Sequence, residues 1–179
     1  MPSKLVDKQL LYTGKKVRLE IHHLEDEDGG RHVREVVVHP GAVCVLPFLK
    51  DDRVVLIRNF RYPLHQYLLE LPAGTLEKNE DPINCAGREL LEETGYLAGR
   101  LKPIGNFFTS PGILSEKMYA YAAYDLEQQT AALEEGEEIE VHPTPYEQAI
   151  GMIQTGEIHD GKTIATLLMY DRYFRQDSH

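Results

Sequence analysis

Two runs of this sequence, Ala42 to Phe48 and Val54 to Phe60, are apolar at almost every position, and a short turn through Lys50, Asp51 and Asp52 separates them. A strand with one wet face alternates apolar and polar residues, whereas a near-continuous apolar run is covered on both faces. A chain of 179 residues that contains such a pair has to build layers on either side of a central sheet. The neighbouring patterns agree. RLEIHHL and HVREVVV flank Gly29-Gly30 and read as a hairpin. Tyr67 to Leu71 reads as a short strand stopped by Pro72, and Ile104–Thr109, Met118–Tyr124 and Ile139–His142 read as further strands. Pro145–Gln154 and Thr163–Phe174 read as helices. The expected class is α/β, with a mixed sheet and a few helices (α+β in the looser sense).

A third helix is the informative one. Asp81 suits an N-cap and Pro82 the first helical position. Ile83, Ala86, Leu90 and Thr94 recur on one apolar face, and Gly95 is a stop signal. On this helix Glu89 lies three residues from Glu92 and four from Glu93, so three carboxylates share a face. Each such like-charge pair costs a few tenths of a kcal/mol. Arg88, four before Glu92, offsets one charge and not three. Clustered carboxylates on a rigid element suit a hard cation such as Mg²⁺ or Mn²⁺; a solvated acidic face is the plain alternative.

The surrounding residues decide between them. Gly74, Glu80, Arg88, Glu89, Leu90, Glu92, Glu93 and Gly95 fit the spacing G-x5-E-x7-R-E-U-x-E-E-x-G-U, where U is aliphatic; Tyr96 holds the last U. Seven specified residue types at a frequency of about one-tenth each match a given frame by chance roughly once in 10⁷. The segment resembles the Nudix box, and the chain is similar to the Nudix hydrolases, which cut X-linked nucleoside diphosphates at the pyrophosphate. That resemblance implies an α/β/α sandwich. It implies Mg²⁺, replaceable by Mn²⁺, held by Glu89, Glu92, Glu93 and the main-chain carbonyl of Ala73. Glu80 and Arg88 would hold loop against helix, with Gly74 and Gly95 allowing the turns.

The similarity spreads over HVREVVVHPGAV, LIRNFRYP, LELPAG, TSPGILSEK and EEGEEIEV, and it points to the nucleotide-sugar branch, with ADP-ribose pyrophosphatases and GDP-mannose-cleaving relatives. It implies that Arg34, Arg61, Glu70, Gly74, Ser110 and Glu116 bind substrate. Arginine forks suit phosphate and ribose oxygens, and a carboxylate accepts sugar hydroxyls. In the acidic segment 134–140, Glu135 would be the general base and Glu137 a metal ligand, so that Glu135, Glu92 and Glu93 form the catalytic set. Residues 1–40 would be an N-terminal β extension that exchanges between two subunits, placing Arg34 across a homodimer; residues 41–179 would be the hydrolase domain.

Other features bound the reading. GEIHDGKT (156–163) fits the formal P-loop spacing, but an amphipathic helical segment precedes it and Glu157 and Asp160 would repel phosphate. A helix junction with Asp160 as cap, used for packing, explains it better. The eight histidines form no metal pattern; His65 would border the pocket, and Tyr12, Phe60 and Tyr62 are stacking candidates for a base. Cys44 and Cys85 sit in apolar runs and read as buried, reduced thiols. No stretch approaches the ~20 apolar residues of a membrane span, and the first residues carry no secretory signal. A net charge of −10 argues against nucleic-acid and anionic-membrane partners. The expected location is cytoplasmic. The charge is local, because 70–95 and 134–140 each carry a balance of −5.

Overall fold

The computed structural model describes residues 3–133 and 138–175. Strands β1 (Lys4–Thr13), β2 (Arg18–Glu25) and β3 (Arg31–Val38) form an antiparallel sheet of their own. The body follows: β4 (Ala42–Pro47), β5 (Arg53–Arg61), β6 (Gln66–Glu70), β7 (Ala73–Thr75), helix α1 (Pro82–Thr94), β8 (Tyr96–Phe108), β9 (Lys117–Gln128), β10 (Ile139–Pro145), and helices α2 (Tyr146–Thr155) and α3 (Gly161–Tyr173). Its strands make two sheets, ordered β7-β4-β9-β8 and β10-β5-β6. Only β4 and β9 run parallel; the other pairings are antiparallel.

The two-sided strand predicted from sequence is β4, whose six residues are all buried. Val43 and Val45 pack with Cys85, Ala86 and Leu90 of α1. Cys44 and Leu46 belong to a second cluster with Tyr146 and Ala149 of α2 and Leu167 and Tyr170 of α3. The sheet is therefore sandwiched between α1 and the α2–α3 pair, the α/β/α layering expected. Cys44 and Cys85 are free and buried, and burial pushes the Cys44 thiol up to about 12.

Three strands differ from the sequence reading. β1 is exposed along all ten residues, so neither face carries the alternation that marks a strand. β8 begins at Tyr96 rather than Ile104; its first half is half-exposed, and a register shift between Pro103 and Gly105 breaks its pattern. β10 runs on through Pro143 to Pro145, which an edge strand tolerates because its outer N–H groups have no ladder partner. Among the described residues no helix is long and apolar enough to cross a membrane.

Candidate active site

The loop–helix unit around α1 is assembled as its residues dictate. Asp81 caps the helix by accepting from the Ile83 N–H, and Gly95 ends it at φ 72° with its N–H on Leu91 O. A side chain at Gly95 would be strained by that φ and would meet the carbonyl of Gln129 at 2.8 Å. Gly74 is required for a different reason. β7 pairs with β4 so that Gly74 lies opposite Val43 and directly over Glu89; any Cβ there would overlap the Glu89 carboxylate.

Arg88 does more than offset one charge. Its Nε and Nη2 grip both oxygens of Glu80 at 2.9 Å, and its Nη1 donates to Glu89 at 2.8 Å and Glu92 at 3.0 Å. Nη2 also reaches the Thr75 carbonyl at 3.4 Å, tying β7 to the helix. One planar fork with five donors thus serves three acids. The Arg88 bonds hold the Glu80 carboxyl down to about 2. Glu93 is 3% exposed and accepts from the Ala73 N–H at 2.9 Å.

These residues open on a cavity of about 1280 Å³. Ala73, Gly74, Arg88, Glu89 and Glu93 form one wall; Arg61, Asp160 and Lys162 form another; Glu116, Thr109 and His39 line it as well. Glu116 accepts from the Thr109 hydroxyl at 2.6 Å and stands 3.5 Å from His39 Nδ1. Of the residues anticipated from sequence, Arg61, Ala73, Gly74, Arg88, Glu89, Glu93 and Glu116 therefore meet in one place. Others do not. Arg34 is exposed on β3, in the separate N-terminal sheet, and its Nη1 donates to Val33 O. The Ser110 carbonyl closes the turn to Ile113 and Leu114, and Ser110 is not on the cavity wall. Glu92 is not on the cavity wall, is one-third exposed, and accepts from Arg88. Glu70 is fully buried, with both oxygens taken by Arg61 and one of them also by Lys162. His65 and the stacking candidates Tyr12, Phe60 and Tyr62 do not line the cavity; Phe107 and Phe108 do. Glu135 and Glu137 lie outside the described residues.

Lys162 and Asp160 are the residues that sequence reasoning passed over. Their signal was the GEIHDGKT segment, read as packing alone. No strand precedes it: α2 ends at Gly156 and a loop leads to α3, so it is no P-loop. It nevertheless brings Asp160, Gly161 and Lys162 to the cavity.

Whether the acids suit a divalent cation can be tested on the donor set. Glu89 and Glu93 reach the cavity from one rigid unit, with the Ala73 backbone beside them, and all offer hard oxygen. Among the described residues, no three His, Cys, Asp or Glu side chains are gathered tightly enough to hold an ion, and Glu89 and Glu92 are turned to Arg88. The residues fit a hard cation in donor type, and closing a site around one would require Glu89 and Glu92 to turn from Arg88.

The family follows from comparison with known proteins. The NUDIX domain profile matches residues 38–167, and the chain belongs to the Nudix family, as a Nudix pyrophosphohydrolase. Hydrolases of this family are generally dependent on divalent metals. An "ADP-ribose pyrophosphatase" of Bacillus subtilis (strain 168) is 37% identical over 165 residues, 91% of this chain and 89% of that protein. A "Methanol dehydrogenase activator" of Bacillus methanolicus is 35% identical over 163 residues, 90% of this chain and 88% of the relative. A "GDP-mannose pyrophosphatase" of Escherichia coli O1:K1 / APEC is 39% identical over 147 residues, 76% of each chain. The crystal structure of an "ADP compounds hydrolase" shares the fold at a TM-score of 0.87 and 22% identity, covering 99% of this chain and 96% of that one.

Proposed function

We propose that this protein hydrolyses the pyrophosphate bond of a nucleoside diphosphate sugar, with ADP-ribose, giving AMP and ribose 5-phosphate, as its lead substrate and Mg²⁺ as its cation (Mn²⁺ substituting). The observation that carries the reading is the single cavity with the acids Glu89 and Glu93 on one wall and Arg61 and the Glu116–Thr109 pair on others. Acids for a cation, a cation for a phosphate and a carboxylate for sugar hydroxyls are the three chemistries a nucleotide sugar needs. The two pyrophosphatase relatives support it.

In this mechanism Glu89, Glu92, Glu93 and the Ala73 carbonyl would hold the metal, joined by Glu137. A divalent cation held there would supply charge neutralisation at the pyrophosphate oxygens and a more acidic water. Glu135 would take the proton of the attacking water, and Glu92 and Glu93 would complete the catalytic set. Arg61 binds a phosphate oxygen. Arg34 binds substrate across a homodimer formed through the N-terminal strands of residues 1–40, while 41–179 are the hydrolase domain. Ser110 and Glu116 receive the terminal sugar; Gly74 leaves the backbone close to it, and Glu80, Arg88 and Gly95 keep loop and helix in register. Exposed Leu5, Val6, Leu10 and Leu11 on β1 support the dimer. A cytoplasmic location without nucleic-acid or membrane partners fits the two buried thiols and the acidic balance.

The test is a kcat/KM survey in Mg²⁺ and in Mn²⁺ over ADP-ribose, GDP-mannose, other nucleoside diphosphate sugars, dinucleoside polyphosphates and NADH. ADP-ribose should rank first. GDP-mannose in first place would move the assignment to the GDP-sugar branch. Binding without turnover would make the chain a nucleotide-sugar sensor, and a preference for 8-oxo-dGTP or capped RNA would sink the sugar assignment.

A further inference from the structure

The Asp160–Thr163 segment is joined to the cavity by a chain of four buried or half-buried charges. Arg61 donates through Nε at 2.7 Å and Nη2 at 2.5 Å to the two oxygens of Glu70, at the end of β6. Glu70 is 0% exposed. Its Oε2 also receives the Lys162 ammonium, which donates in turn to Asp160 at 3.0 Å. Asp160 is fixed as the cap of α3, accepting from the N–H and the hydroxyl of Thr163 at 3.0 and 2.6 Å. The Thr163 hydroxyl accepts from the Leu71 N–H at 2.8 Å, which closes the loop back onto the residue after Glu70.

The order of charges is cation, anion, cation, anion. A carboxylate at zero exposure is stable as an ion only when its charge is balanced and its lone pairs are used. Arg61 does that for Glu70 from the cavity side, but Arg61 is itself 36% exposed and would be free to swing. Lys162 donates to the same Glu70 oxygen, Oε2, as Arg61 Nη2, is only 12% exposed, and carries its own tether in Asp160. With Lys162 in place the plane of the Glu70 carboxylate is set from within the protein, and a bidentate arginine copies the plane of its partner. Burial pulls the Lys162 pKa down, and the Glu70 and Asp160 carboxylates outweigh it, so its pKa lies above the ordinary value.

We infer that Lys162, anchored by Asp160, is a positioning residue of the active site: it acts through Glu70 to hold the Arg61 guanidinium in the orientation that receives the substrate phosphate. This assigns a role to the cap of α3 beyond packing. It rests on the proposed nucleotide-sugar activity and on Arg61 as a substrate contact.

The experiment is a double-mutant cycle on ADP-ribose and GDP-mannose in Mg²⁺, with Lys162→Met, Asp160→Asn, Arg61→Ala and the two pairings with Arg61→Ala. Lys162→Met should raise KM about ten-fold and change kcat less than about threefold, the signature of lost binding without lost chemistry. Asp160→Asn keeps the cap's shape and should raise KM by about threefold. Neither substitution should cost more than about twofold in kcat/KM once Arg61 is alanine, because the pathway they act through is gone. Circular dichroism and thermal melts report the fold, and the Asp160→Asn arm carries the test if Lys162→Met does not fold. Wild-type KM in the folded variants overturns the inference, and so do effects that multiply with Arg61→Ala. Wild-type kinetics in Arg61→Ala alone removes Arg61 as a substrate contact and the inference with it, while the activity stands. A wild-type protein that turns over no nucleotide sugar overturns the activity itself.

Discussion

Arg88 shows how one side chain makes a self-repelling helix tolerable. Three acids at helical spacing should cost stability, yet Glu80, Glu89 and Glu92 all bond to a single guanidinium, and Glu93 is satisfied by the Ala73 N–H. Glu80 carries a measurable consequence. Its folded carboxyl is held down to about 2 against an ordinary 4.5, so the folded state binds fewer protons than the unfolded state. The stabilisation is therefore present above the unfolded value and is lost as pH falls from about 4.5 towards 2. Urea unfolding should find Glu80→Gln less stable than the wild type at neutral pH, with the gap closing as pH falls through that window. A gap independent of pH would mean that the Glu80–Arg88 pair is not its source.

At the scale of elements, α1 has its boundaries written in its own residues. Asp81→Ala removes the acceptor for the Ile83 N–H and should lower stability by about 1 kcal/mol, read as a lower urea midpoint at unchanged slope. Strand β1 is the opposite case. It pairs with β2, but all ten residues are exposed, and Leu10 and Leu11 are at least half so. An edge strand that exposes Leu5, Val6, Leu10 and Leu11 is a template for association. Light scattering should give twice the mass of the 20.4 kDa chain, and Leu10→Glu should shift the population to monomer. A monomeric wild type with full activity would remove the proposed dimer and with it any role for Arg34 across subunits.

For the whole molecule, the −10 charge is a matter of placement more than of total. Acids from α1 and the segment before it look into one cavity, and cations from β5 and α3 stand on another wall. If these acids bind a cation in the folded state only, Mg²⁺ must stabilise the fold by mass action. The melting temperature should rise with Mg²⁺ concentration and fall back when the ion is chelated. Glu93→Gln should abolish most of that rise, while the Gln carbonyl can still accept from the Ala73 N–H. An unchanged melting temperature across millimolar Mg²⁺ would argue against the metal site.

Much of this was readable from local pattern. The continuous apolar run of β4, the Asp81-Pro82 start and Gly95 stop of α1, and the box from Gly74 to Gly95 each express a constraint on neighbours within a few residues, where spacing translates directly into geometry. The box put Glu89, Glu92 and Glu93 on one helix face; in the structure Glu89 and Glu93 line the cavity with Gly74, and Glu92 does not. What only the tertiary structure decided lies between residues far apart in the chain. Glu70 and Lys162 are separated by 92 positions, and nothing in either neighbourhood announces that one buries the other's charge. The same holds for β1, whose polar and apolar residues follow no period because neither of its faces is covered within this chain. Periodicity records which side of an element is buried; it carries no record of which distant charge completes a buried one, and that pairing appears only when the sheet and α3 are packed together.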